Sequence, residues 1–128
     1  MHSYCLLGNH YHLLVEIGDE GTLSPGMQWL NGVYAMSFNR RHGYVGHLFQ
    51  GRFKSREITS DEDLLRTDLY IVWNPVKHGF CQSPADWPWS SFHGLVPTPR
   101  ILRLFHPDPV VAVPMYRRFV LGPFYSGP

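Results

Sequence analysis

The chain has 128 residues, 44% of them hydrophobic, 16% charged and 15% aromatic, with a formal net charge of +1. Those proportions suit one compact domain and exclude a chain disordered throughout. The longest uncharged stretch, residues 21–39, contains Ser24, Pro25, Gln28, Asn31 and three glycines, so it is no membrane span, and two cysteines are too few for a disulfide scaffold or a Cys-rich zinc module.

Residues 3–7 and 11–17 alternate as strands around the turn signal Gly8-Asn9, which predicts an antiparallel hairpin. Tyr11, Leu13, Val15 and Ile17 are expected on its core face, with His10, His12, Leu14 and Glu16 on a partly polar face opposite. Ser24-Pro25 and Gly43 bracket a helix over about residues 25–42, with Met27, Leu30, Tyr34 and Phe38 as its apolar stripe. Residues 43–51 read as a glycine-punctuated loop and residues 53–59 as a third strand. Ser60-Asp61-Glu62-Asp63 before Leu64-Leu65 is a capping box, opening a second helix that Pro75 is expected to end. Its predicted buried stripe is Leu65, Leu69, Val72 and Trp73, which leaves Tyr70 on the polar side with Asp63, Thr67 and Asn74. Residues 83–91, rich in proline and tryptophan, read as an irregular segment wrapping the core. A short helix over about 113–121 and a loose tail after Gly122 complete the expectation.

Three constellations could carry chemistry. His10 and His12, at i and i+2 of a strand, project from one face and could share a divalent ion. Tyr70 and Asn74, at i and i+4 of a helix, are neighbours on its polar face, a hydroxyl nucleophile beside an amide ligand. Between Glu20 and Glu57 there is no acidic residue, while Arg40, Arg41, Arg52, Lys54 and Arg56 fall in that gap among Phe38, Tyr44, Phe49 and Phe53. Such a tract suits a partner with phosphates and unpaired bases, although a solvated basic face would look the same. His42, His47, His78, His93 and His106 have no partner at metal-ligand spacing. Cys5 is expected in the core, and Cys81 has no catalytic context. Singly, each constellation also has an ordinary structural reading.

Their order is more specific. Asn9-His10-Tyr11-His12-Leu13-Leu14-Val15-Glu16, Asn39-Arg40-Arg41-His42-Gly43, Gly46-His47-Leu48-Phe49-Gln50-Gly51-Arg52-Phe53-Lys54, Tyr70-Ile71-Val72-Trp73-Asn74-Pro75-Val76 and Trp87-Pro88-Trp89-Ser90-Ser91 follow one another along the chain. Together they resemble the single-tyrosine HUH transposases, and within them the REP-associated tyrosine transposases of bacteria. The resemblance covers most of residues 2–92, with a weaker echo at Tyr116-Arg117-Arg118-Phe119-Val120.

That resemblance implies an α+β, ferredoxin-like palm with an antiparallel sheet and helices on one face. It implies a transposase domain over residues 1–92 and a partly irregular extension over 93–128. Family members usually open with a further strand and helix, so the expected domain is shortened at its N-terminus. The implied activity is cleavage and rejoining of single-stranded or hairpin DNA through a 5′-phosphotyrosine. Tyr70 is the implied nucleophile, and His10, His12 and Asn74 are the implied ligands of Mg²⁺ or Mn²⁺. Arg40, Arg41, Arg52, Lys54 and Arg56 are DNA-binding candidates. The alternative is a remnant that binds single strands without cutting them. Met1-His2-Ser3-Tyr4-Cys5 has no secretory signature, so the expected location is the bacterial cytoplasm without a membrane partner.

Overall fold

In chain order the elements are β1 (Ser3–Leu6), β2 (Tyr11–Leu14), α1 (Leu23–His42), α2 (Asp61–Lys77), a 3-10 turn (Pro84–Asp86), α3 (Pro99–Arg103) and α4 (Pro109–Leu121). They belong to a computed structural model that describes residues 1–18, 21–92 and 99–122. The chain divides into two units, Met1–Glu16 with Ile58–Pro128 and the intervening Ile17–Glu57.

In the first unit, β1 and β2 form the expected antiparallel hairpin, pairing Ser3 with Leu14 and Cys5 with His12. The Leu7 N–H donates to the His10 carbonyl (2.9 Å) to close the turn. The inward face differs from expectation. Ser3, Cys5 and Leu14 are buried and His12 is half-buried, whereas Ile17 is exposed. Helix α2 determines this, because its Leu64, Ile71 and Val72 share one core with Cys5 and Leu14. The face carrying His12 is therefore the face the helix covers.

Helix α2 begins as its capping box dictates: Ser60 Oγ accepts from the Asp63 N–H (3.1 Å), and Asp63 Oδ2 accepts from the Thr59 N–H (3.3 Å). Its buried stripe is Leu64, Asp68, Ile71, Val72, Asn74 and Pro75, with Leu65, Leu69 and Trp73 only partly buried. Pro75 does not end the helix. It lies within three residues of the C-terminus, so the missing N–H deprives a single carbonyl, and burying the ring offsets that loss. The helix stops instead at Gly79, whose φ of 77° suits glycine. There the Phe80 N–H bonds the Pro75 carbonyl and the Gly79 N–H bonds the Val76 carbonyl, both at 2.9 Å.

The tryptophan-rich segment is more ordered than its composition suggests. Ser90 bridges Cys5 in antiparallel sense, the Leu6 N–H donates to the Trp89 carbonyl (2.8 Å), and the Ser91 N–H donates to the Tyr4 carbonyl (2.9 Å). The second edge of β1 is thereby paired. Residues 53–59 form no strand; residues 54–57 are exposed, three of them charged, and only Ile58 packs against the core. The described residues thus hold a two-stranded sheet and four helices. The α+β class stands, but these elements do not trace a three-stranded sheet in ferredoxin-like order.

Helices α3 and α4 add Ile101, Leu102, Ala112, Tyr116 and Val120 to the same core. α4 is capped by Asp108, whose Oδ1 accepts from the Val110 N–H (2.9 Å), and it starts four residues earlier than predicted. Trp73 Nε1 donates to the Val120 carbonyl (2.9 Å), and the buried Tyr116 hydroxyl donates to Asp68 Oδ2 (2.8 Å). On the surface of this unit Glu16 accepts from both His2 and Arg100 at 2.8 Å, which holds its carboxyl below the usual range, His2 contributing most. The predicted loose tail after Gly122 and His93 lie outside the described residues.

In the second unit α1 ends at Gly43 as predicted, with φ 67°, but starts at Leu23 behind Thr22 rather than at Pro25 behind Ser24. Met27 is its buried residue, whereas Leu30 and Tyr34 of the expected stripe are exposed. Tyr34 instead packs its ring against Phe38 and Phe49, and Phe38 against His42 and Tyr44.

Candidate active site

Because α2 covers the inward face of the hairpin, it brings Tyr70 to the histidine pair. The rings of His12 and Tyr70 meet edge-on with centroids 5.5 Å apart. Those of His10 and His12 are 5.2 Å apart and perpendicular. Tyr70 is 48% exposed, so its hydroxyl sits off the core stripe, as the periodicity predicted.

Asn74, one turn further along α2, is 1% exposed rather than on a polar face. Both its Oδ1 and its Nδ2 are buried without a hydrogen-bond partner, and so is His12 Nε2. An amide shut away unbonded costs about 1–3 kcal/mol, so a residue kept this way needs a reason. His10 Nδ1 bonds Asn9 Oδ1 (2.7 Å), an acceptor. In the tautomer that donates this bond from Nδ1, Nε2 carries the lone pair that a metal-binding imidazole uses. The unbonded His12 Nε2 and Asn74 amide are nitrogen and oxygen donors of the kind a divalent cation takes. Among the described residues no three His, Cys, Asp or Glu side chains come together as a metal site.

Burial holds the His12 imidazole below its ordinary pKa of 6.5, and the nearby His10, His78 and Lys77 lower it further. It therefore stays neutral and able to ligate. Cys5, on the same face, is pushed up to about 11, mainly by burial, and is a core thiol rather than a nucleophile.

Two neighbours were not singled out from the sequence. The His78 ring lies 5.3 Å from that of His10, and Lys77 Nζ stands 5.3 Å from the centroid of the Tyr70 ring. The signal was helical: Lys77 and His78 follow Tyr70 by seven and eight residues, on the face Asn74 marks. The DNA-binding candidates fall in the other unit. Arg40 and Arg41 lie in the last turn of α1, and Arg52, Lys54 and Arg56 in the exposed stretch after it.

The family described as "Transposase IS200 like" matches residues 1–73, a span that takes in His10, His12 and Tyr70. The chain belongs to the IS200-like transposase family. Two relatives agree. It is 31% identical over 101 residues to the "Putative REP-associated tyrosine transposase" of Haemophilus influenzae, across 71% of the chain and 57% of that protein. It is 40% identical over 93 residues to the "REP-associated tyrosine transposase" of Escherichia coli, across 73% of the chain and 54% of that protein. The IS200-like chain thus spans little more than half the length of these relatives. No solved structure matches it. Among its described residues no helix is long and apolar enough to cross a membrane.

Proposed function

We propose that this IS200-like transposase cuts and rejoins single-stranded DNA, with Tyr70 as the nucleophile. The observation that carries the reading is the meeting of Tyr70 with His12 beside an amide buried without a partner. The Tyr70 hydroxyl attacks the scissile phosphorus. As the Oη–P bond forms the P–O3′ bond breaks, leaving a 5′-phosphotyrosine and a 3′-hydroxyl that takes up the proton.

His10, His12 and Asn74 would hold Mg²⁺ or Mn²⁺, which when bound supplies positive charge to the phosphate oxygens and to the phenolate. Asn9 fixes the His10 tautomer, and burial keeps His12 neutral. Arg40, Arg41, Arg52, Lys54 and Arg56 are assigned to phosphate contacts along the strand.

The test is to incubate the chain with Mn²⁺ and a labelled hairpin-bearing single strand, then separate the products under denaturing conditions. A DNA-linked protein band that disappears in Tyr70→Phe is the expected result. Strand binding with no such band would establish the alternative, a strand-binding protein without cleavage.

A further inference from the structure

Beyond the histidine pair, the rings do not stop. His78 lies 5.3 Å from His10, Phe80 stacks on His78 (6.0 Å, 24° between planes), and Trp87 stacks on Phe80 (5.6 Å, 21°). Trp89 meets Trp87 edge-on at 5.4 Å. With Tyr70, His12 and His10 this makes one uninterrupted run of seven rings from the candidate nucleophile to Trp89, all within one unit. Its outer members are open to solvent, Phe80 by 54% and Trp89 by 58%.

We infer that Phe80, Trp87 and Trp89 form a stacking site for the unpaired nucleobases that adjoin the phosphate held at Tyr70. The inference rests on the proposed single-strand chemistry and assigns the bases a place.

Three features favour nucleobases over another occupant. The exposed side chains at the outer end are aromatic, and every base offers a π-face that packs against such rings. The run begins at the candidate nucleophile, so a strand with its phosphate there can lay its further nucleotides along the rings. The rings are also held in advance. Trp87 Nε1 donates to the Leu6 carbonyl (2.9 Å), the Trp89 carbonyl accepts from the Leu6 N–H, and the Gly79 turn fixes Phe80 behind α2. Stacking on them costs little further ordering. Lys77, 5.3 Å from the Tyr70 ring, adds a cation at the phosphate end of the run.

The experiment compares the whole chain with Phe80→Ala, Trp89→Ala and Trp89→Phe. Each is titrated against a short labelled oligothymidylate and an abasic strand of equal length, at constant salt. Both altered side chains are more than half exposed, and circular dichroism checks that the variants fold. Each alanine variant is expected to bind the oligothymidylate about 10-fold or more weakly, the effect of losing one base–aromatic stack. Trp89→Phe should recover most of that loss, and the abasic strand should bind weakly and equally to all. Unchanged affinity in both alanine variants, or equal losses on the abasic strand, would overturn the stacking site. So would self-association that the alanine variants abolish, because a second copy would then occupy the rings. Covalent adduct formation by the unaltered chain reports separately on Tyr70: with adduct formed and no alanine effect, only the stacking site fails. No binding of either strand by the unaltered chain removes both.

Discussion

The ring of Tyr70 stands at 79° to that of His12, centroid to centroid 5.5 Å, although 58 positions of sequence separate them on a helix and a strand. The contact gives a side chain on the outer flank of α2 a fixed place over the hairpin. It follows directly from α2 choosing the His12–Leu14 face of the hairpin as its floor.

Tyr70→Phe removes one oxygen from a half-exposed ring and leaves the edge-on contact intact. Stability should change by no more than about 0.5 kcal/mol, the range of surface substitutions. Covalent attachment to DNA should be lost entirely while strand affinity is kept. Thermal unfolding and a denaturing gel measure the two separately.

Asn74→Leu replaces a buried, unbonded amide with an apolar side chain of the same branching. The variant should gain about 1 kcal/mol, because the cost of the unmade hydrogen bonds disappears. Cleavage in Mn²⁺ should fall to background. A rise of a few degrees in Tm together with lost activity would mark the amide as kept for function; a fall in Tm would show it makes a structural bond.

His12 titrates below 6.5 in the folded chain, with burial as the main cause. The unfolded chain then takes up its proton first as pH falls. The contribution of the neutral imidazole to stability is full above pH 6.5 and is lost as pH drops from there through the lowered folded value. A stability series across that window should slope downward towards acid, and His12→Phe should reduce the slope. Ring titration by NMR should show His12 still neutral when an unperturbed imidazole is already half charged.

Burial raises the pKa of Asp68, and the hydrogen bond from Tyr116 only partly opposes this. The sign is opposite to that of His12: the folded chain holds the proton more tightly. Stability falls as pH rises from the ordinary 3.8 through the raised value. Asp68→Asn keeps an acceptor for Tyr116 and should flatten that part of the profile. Tyr116→Phe leaves Oδ2 without its donor and should cost about 1–3 kcal/mol at neutral pH by denaturant unfolding.

Replacing Arg40 and Arg41 together by glutamine tests the basic tract. If both neutralise phosphates, the slope of log affinity against log salt for a single strand should become shallower by about 1.4. Unchanged slope would remove these two from the interface.

The hairpin and the start of α2 were readable because each rests on local chemistry, a Gly-Asn turn and a reciprocal cap. The buried face of α2 was not. Asp68 and Asn74 lie on the core stripe, and a pattern built from apolar residues rotates away from them towards Leu65 and Leu69. The strand assigned to residues 53–59 failed for the converse reason, since alternation in a segment with Lys54, Arg56 and Glu57 reflects no burial. On β2, alternation separated the two faces correctly but could not say which one a helix would cover. The pairing of residues 89–91 with β1 depends on contacts as distant as the 87 positions between Tyr4 and Ser91, which no local signal encodes.

The bond from Trp87 to Leu6 spans 81 positions, and Ser91 reaches back to Tyr4 across 87. During synthesis the hairpin is made some eighty residues before the segment that closes its outer edge. Contacts this distant form slowly, because the intervening chain must give up its freedom before any of them is gained. Until then β1 has an unpaired edge, the state from which strands join other chains. Assembly of this chain therefore has a vulnerable interval, from the hairpin turn to the arrival of Trp87, and its yield should depend on how quickly that interval is crossed.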